Sequence, residues 1–114
     1  YEIGVINTGT LTVDANTIVI TDPLPTATIA YDNSAAVQFV DGAIPSGLVF
    51  NAATDVRFSN AVATPTSFVA CTYTPSAGVD NNVRHVCIRP SGTMAGATAA
   101  GQPSFTVMFR TRVK

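Results

Sequence analysis

Phe105-Thr106-Val107-Met108-Phe109-Arg110-Thr111-Arg112-Val113-Lys114 closes the chain, and its period is two. Phe105, Val107, Phe109, Thr111 and Val113 fall on one side, and Thr106, Met108, Arg110, Arg112 and Lys114 on the other. Such alternation belongs to a half-buried β-strand, whose successive side chains point to opposite faces. The opening stretch repeats it, with Tyr1, Ile3 and Val5 alternating with Glu2, Gly4 and Ile6. Between these ends the same physics predicts strands over 1–7, 17–21, 37–40, 48–51, 56–59, 67–74, 83–89 and 105–113. They are rich in Val, Ile, Phe and Thr, which suit a pleated surface. Turn signals separate them: Asn7-Thr8-Gly9, Asp22-Pro23-Leu24-Pro25, Asp41-Gly42, Pro45-Ser46-Gly47, Pro75-Ser76-Ala77-Gly78 and Pro90-Ser91-Gly92. No window holds a sustained helical period. The prediction is an all-β fold, an antiparallel β-sandwich of seven to eight strands in a single domain spanning 1–114.

Two segments lack a period. Residues 32–36 suit a helical turn or a loop. Residues 92–101 are almost all Gly, Ala and Thr, with Met94 the only large side chain. They are predicted as a loop, with close approach of another subunit as the competing explanation.

A chain of 114 residues is enough for one core. Hydrophobic residues make up 46% and charged residues only 11%, against about a quarter in ordinary soluble domains. Thr, Ser, Asn, Ala and Gly must cover the surface, and low charge favours association. A net charge of -1 gives no electrostatic case for nucleic acid. Arg110, Arg112 and Lys114 form a small basic stripe, expected to be solvated or to guard an edge. No apolar run approaches the roughly 18 residues of a membrane span, so no membrane insertion is expected. A first residue of Tyr rather than Met is expected of a processed or partly represented chain.

Cys71 and Cys87 are the sharpest local signal. A hairpin centred on residues 76–82 pairs Tyr73 with His85 and puts Cys71 opposite Cys87. Opposite residues have Cβ atoms about 4.5–5.5 Å apart, within reach of a disulfide. Ala70, Thr72, Val86 and Ile88 look core-facing, so the bond is expected on the outer face. A disulfide implies an oxidising compartment, hence an extracellular or cell-surface location. Two free thiols are the alternative. A metal site from Cys71, Cys87 and His85 lacks a fourth ligand.

Catalytic chemistry finds little support. His85 is the single histidine, and no Gly-x-Ser-x-Gly surrounds a serine for it to activate. The acidic residues are scattered, and no tryptophan offers a sugar platform. Asp80-Asn81-Asn82 reads as a turn before it reads as a calcium loop. Asp22 and Asp41 precede Pro23 and Gly42, where turn chemistry explains them. Lys114 is the single lysine, which leaves little room for an intramolecular Lys–Asn crosslink. No Asn-x-Ser/Thr sequon occurs. The expectation is a protein without enzymatic activity, cofactor or metal.

Tyr1-Glu2-Ile3-Gly4-Val5-Ile6-Asn7-Thr8-Gly9 resembles the Y-x-I-x-V-x-N-x-G opening of an Ig-like conserved repeat domain of unknown function, found in bacterial and archaeal secreted and surface proteins. The likeness extends through Ile18-Val19-Ile20-Thr21-Asp22-Pro23-Leu24-Pro25, Phe39-Val40-Asp41-Gly42, Ser46-Gly47-Leu48, Val56-Arg57-Phe58-Ser59-Asn60, Thr72-Tyr73-Thr74-Pro75, His85-Val86-Cys87-Ile88-Arg89-Pro90-Ser91-Gly92 and Pro103-Ser104-Phe105-Thr106-Val107-Met108-Phe109-Arg110. It covers nearly the whole chain. The resemblance implies an Ig-like sandwich, a secreted origin and a structural or adhesive role, with no catalytic residue to carry over. The two cysteines depart from the family pattern. Family members also carry a strand before the Tyr-x-Ile-x-Val motif, which implies a sandwich short of its first strand.

The functional expectation is a secreted structural subunit, a homo-oligomer or homopolymer joined through strand edges. Its sharper form is a filament or pilus-like polymer built by donor-strand complementation. The interface is expected at Tyr1, Ile3, Val5, Phe105, Val107, Phe109, Arg110 and Arg112. The alternative is a monomeric adhesion or carbohydrate-binding module that takes surface glycans through its loops.

Overall fold

In the computed structural model, which describes residues 1–114, the alternating stretches become short antiparallel strands. In chain order they are β1 (Glu2–Ile6), β2 (Ile20–Pro23), β3 (Ile29–Asp32), β4 (Gln38–Asp41), β5 (Leu48–Val49), β6 (Val56–Ser59), β7 (Val79–Asp80), β8 (His85–Ile88), β9 (Ser91–Gly92), β10 (Ser104–Met108) and β11 (Thr111–Val113). One short helix, α1 (Ala52–Asp55), and a 3-10 turn at Phe68–Ala70 interrupt them. The strands form sheets in the orders β1-β10-β4, β11-β3-β7, β2-β8-β6 and β5-β9. Every strand pair is antiparallel.

Residues 104–113 do not make one strand in one sheet. The backbone groups of the even residues of β10 turn towards β4, and those of the odd residues towards β1. Arg110 then accepts from the Asp32 amide at 3.0 Å, and β11 continues beside β3 instead. The chain passes from one sheet to the next between Met108 and Thr111, so each half is covered by a different neighbour.

One contiguous core results. Tyr31 from β3, Val86 and Ile88 from β8, and Phe105 and Val107 from β10 are buried together with Leu24, Val37, Leu48, Val83, Met94 and Phe109. Tyr31 packs against Phe58 and Phe109 with ring centroids 4.8 and 6.0 Å away. Phe39 stacks on Phe105 at 4.8 Å and on Phe50 at 5.3 Å. Burial pushes the Tyr31 hydroxyl up to about 12, with the Asp32 charge adding to the shift.

The small-residue segment 92–101 is a loop held by its own chain. Met94 bridges Val13 and is buried in the core. A Cβ on Gly96 would stand 2.3 Å from the Thr10 carbonyl oxygen, so glycine lets the 9–11 backbone lie against it. Close approach is real, and the approaching backbone belongs to the same molecule.

Candidate interaction surface

The disulfide Cys71–Cys87 is present, but its scaffold is not a hairpin. Residues 67–74 were expected to pair as a strand. Phe68–Ala70 instead wind into the 3-10 turn, and Cys71 follows at its C-terminal end. Cys87 is the partner of Thr21 on β2 and of Arg57 on β6, so no place beside β8 is left for another strand. Tyr73 bridges Phe58 rather than His85. The bond staples the 3-10 turn onto the face of β8 away from the main core, and Phe68, Cys71 and Cys87 make a small satellite core there.

The eight residues expected at an interface divide by burial. Phe105, Val107 and Phe109 are core residues. β10 is flanked on both sides, so it offers no free edge. Tyr1 stacks on Phe109 with centroids 5.0 Å apart, and Ile3 and Val5 pack against the core from β1. The expected edges at the two ends therefore pair largely with each other. Arg110 and Arg112 are exposed.

What remains free is the outward side of β1. Tyr1 and Phe109 exchange backbone bonds of 2.9 and 3.1 Å, and the Asn7 amide donates to the Pro103 carbonyl at 2.9 Å. Antiparallel alternation then turns the N–H and C=O groups of Glu2, Gly4 and Ile6 away from β10. Ile6 is 54% exposed, and nothing lies within 4 Å of a Cβ built on Gly4. On β11, Arg112 pairs with Ala30, and the Lys114 amide donates to Thr28, so Thr111 and Val113 turn their backbone groups to the free side. At the end of β1 a groove of about 250 Å³ gathers Tyr1, Glu2, Gln38, Met108, Phe109 and Arg110.

The acidic residues resolve into structural roles. Asp80 is buried, and its carboxylate accepts from the Tyr73 hydroxyl at 2.9 Å and from the Ser76 and Asn82 amides at 2.8 Å. Burial pushes its carboxyl up, but the amides of Ser76 and Asn82 and the Tyr73 hydroxyl outweigh it and hold it below the usual range. Asp41 accepts from the Ser46 amide at 2.8 Å and from the Ser46 hydroxyl, closing the 41–46 turn. Asp22 differs from the turn role expected of it. It lies within β2, opposite Val86, and its Oδ2 is buried without a partner. Burial raises its carboxyl, and hydrogen bonding from Tyr1 opposes the shift.

His85 stands opposite Pro23 and Ser59, 4% exposed, with a buried Nδ1 that has no partner. Burial, and next the Arg84 charge, lower its basicity. No three His, Cys, Asp or Glu side chains converge into a metal-binding group. No helix is long and apolar enough to cross a membrane. Sequence reasoning missed a cluster on the stapled face: the guanidinium carbons of Arg57 and Arg89 lie 4.9 and 4.5 Å from the centroid of the Phe68 ring. Its only sequence signal is the alternation Cys87-Ile88-Arg89, which puts an arginine on the same face as the cysteine. No family model, no curated protein and no solved structure matches the chain.

Proposed function

We propose that this chain is a secreted, non-enzymatic structural subunit, an Ig-like β-sandwich whose copies join through strand edges into an extracellular filament or pilus-like polymer by strand complementation. The observation that carries the proposal is the outward side of β1. There Glu2, Gly4 and Ile6 present unpaired backbone groups beside an exposed isoleucine. An edge of this kind is a template on which another strand adds. A surface with 11% charged residues does little to repel a second copy. The disulfide supports an oxidising compartment. A head-to-tail contact that does not close generates filaments.

Gly4→Pro is the discriminating variant. Its missing N–H is one that points away from β10, so every β1–β10 bond survives, and edge positions tolerate proline. Negative-stain electron microscopy of the protein isolated from its source is expected to show regular filaments, and Gly4→Pro of unchanged thermal stability is expected to remain as single particles. Monodisperse wild-type particles at high concentration would sink the proposal.

A further inference from the structure

Sheet β2-β8-β6 gives one face to the core through Val56, Phe58, Val86 and Ile88. Its opposite face carries Arg57, Cys87 and Arg89, and the Cys71–Cys87 bond lays Phe68 across it. Phe68 is 3% exposed, whereas both arginines are exposed. Both guanidiniums lie over the same immobilised ring, their central carbons 4.9 and 4.5 Å from its centroid. A guanidinium held over a ring by cation–π attraction bonds through no N–H there, so its donors remain available to an oxyanion.

The pair has no counterion within the molecule. Asp55, whose carbonyl accepts from the Arg89 amide at 2.9 Å, turns its carboxylate back on α1. There it accepts from the Asn51 amide at 2.8 Å and the Thr54 hydroxyl at 2.9 Å. Beside Arg57 opens a groove of about 440 Å³, also lined by Ala53, Thr72, Tyr73, Thr74 and Pro75. That volume falls in the range of small-ligand sites, and its wall offers hydroxyls and an aromatic ring.

We propose that Arg57 and Arg89, both held over Phe68, form an oxyanion clamp for an acidic glycan, with the charged substituent on the guanidinium donors and the sugar body in the groove beside Tyr73. The ligand chemistry is a carboxylate or sulfate group borne on a sugar ring. The site is independent of the β1 edge and stands or falls separately from self-association.

Isothermal titration of the disulfide-bonded protein tests it with polygalacturonate oligomers as the carboxylate probe and chondroitin sulfate oligomers as the sulfate probe. Single-stranded DNA and a neutral oligosaccharide serve as controls. At least one acidic glycan is expected to bind, and which one does so separates carboxylate from sulfate. Arg57→Gln and Arg89→Gln are each expected to weaken it by about 10-fold. Arg57→Lys, which keeps the charge and loses the fork, is expected to weaken it nearly as much, whereas Arg84→Gln, at an exposed arginine outside the groove and the strand edges, binds as wild type. The intact mass and far-UV circular dichroism of each variant report the bridge and the fold. Arg89→Gln alone suffices if Arg57 variants misfold. No binding of either glycan, equal binding of DNA, or full binding by Arg57→Gln and Arg89→Gln overturns the proposal.

Discussion

Two buried titratable residues are expected to weaken this fold in acid, and a third opposes them. His85 titrates below the ordinary histidine range because burial and the Arg84 charge disfavour its cation. The unfolded chain takes up that proton near pH 6.5. A group whose folded value is depressed contributes stability that is complete above the unfolded value and lost as pH falls towards the folded one. Stability is therefore expected to be level above about pH 6.5 and to decline below it. Asp80 repeats the sign lower down, because its three hydrogen bonds favour the carboxylate. Its contribution is complete above about pH 4 and is lost as pH falls through the depressed folded value. Asp22 runs the other way: burial raises its folded value, so its penalty is absent in acid and grows as pH rises. Urea denaturation across pH 3–8 is expected to show both declines. Asp80→Asn leaves one of the three donors facing an amide, so it should cost about 1–3 kcal/mol at neutral pH and remove the lower decline while leaving the upper. An unchanged lower decline in that variant would assign it elsewhere.

At the scale of elements, the Cys71–Cys87 bond does two things that a hairpin disulfide would not. It closes a separation of 16 residues, which in the chain-entropy model is worth about 3 kcal/mol. It also fixes the 3-10 turn over β8 and seats Phe68 between the cysteines and the two arginines. Reduction, or a Cys71→Ser/Cys87→Ser double variant, is expected to lower the melting temperature by more than about 10 °C. A shift of only one or two degrees would mean that the satellite core holds without its bond. The pairing was legible in the sequence because two cysteines allow one bridge. Its geometry was not, because alternation in residues 67–74 cannot tell a strand from a segment that finds every place beside β8 taken by β2 and β6. The antiparallel all-β fold was legible from period and turns. The division of 104–113 between two sheets was not, because nothing local at Phe109-Arg110 interrupts the period. β3 was missed for the opposite reason: Ile29-Ala30-Tyr31-Asp32 is buried at both central residues and so does not alternate. α1 rests on a four-residue spacing, Asn51 capping Ala53 at 3.0 Å and Asp55 returning to the Asn51 amide, too short to register as a helical period. Of the candidate interface, exposure of Arg110 and Arg112 followed from the pattern. The pairing of Tyr1, Ile3 and Val5 with β10 did not, since a period of two says which face is buried and nothing about which strand lies alongside.

The whole molecule extends 44 × 25 × 22 Å, and its radius of gyration of 14.7 Å exceeds the roughly 13 Å of a compact chain this long. Elongation comes with many short sheets and several free sides, so association has more than one edge to use. Charge argues which edge matters. β11 carries Arg112 between Arg110 and Lys114, the kind of positive guard that discourages pairing with an identical strand. β1 carries a single charge, Glu2, and presents Ile6 on its free side. Strand addition is therefore expected at β1, with β11 as its complement rather than its rival. Placing a lysine at Ile6 supplies the guard that β1 lacks and leaves the core untouched, since that side chain is more than half exposed. Ile6→Lys is expected to fold with a stability within about 0.5 kcal/mol of wild type and to shift sedimentation towards monomer. Arg112→Glu is expected to weaken assembly too, because it replaces a positive charge on β11 with an acid where β1 of the approaching copy already carries Glu2, and Glu2→Lys combined with Arg112→Glu should recover part of the loss. Assembly unchanged by Ile6→Lys would move the contact off β1. Loss without recovery in the double variant would leave β1 in the contact but take β11 out of it.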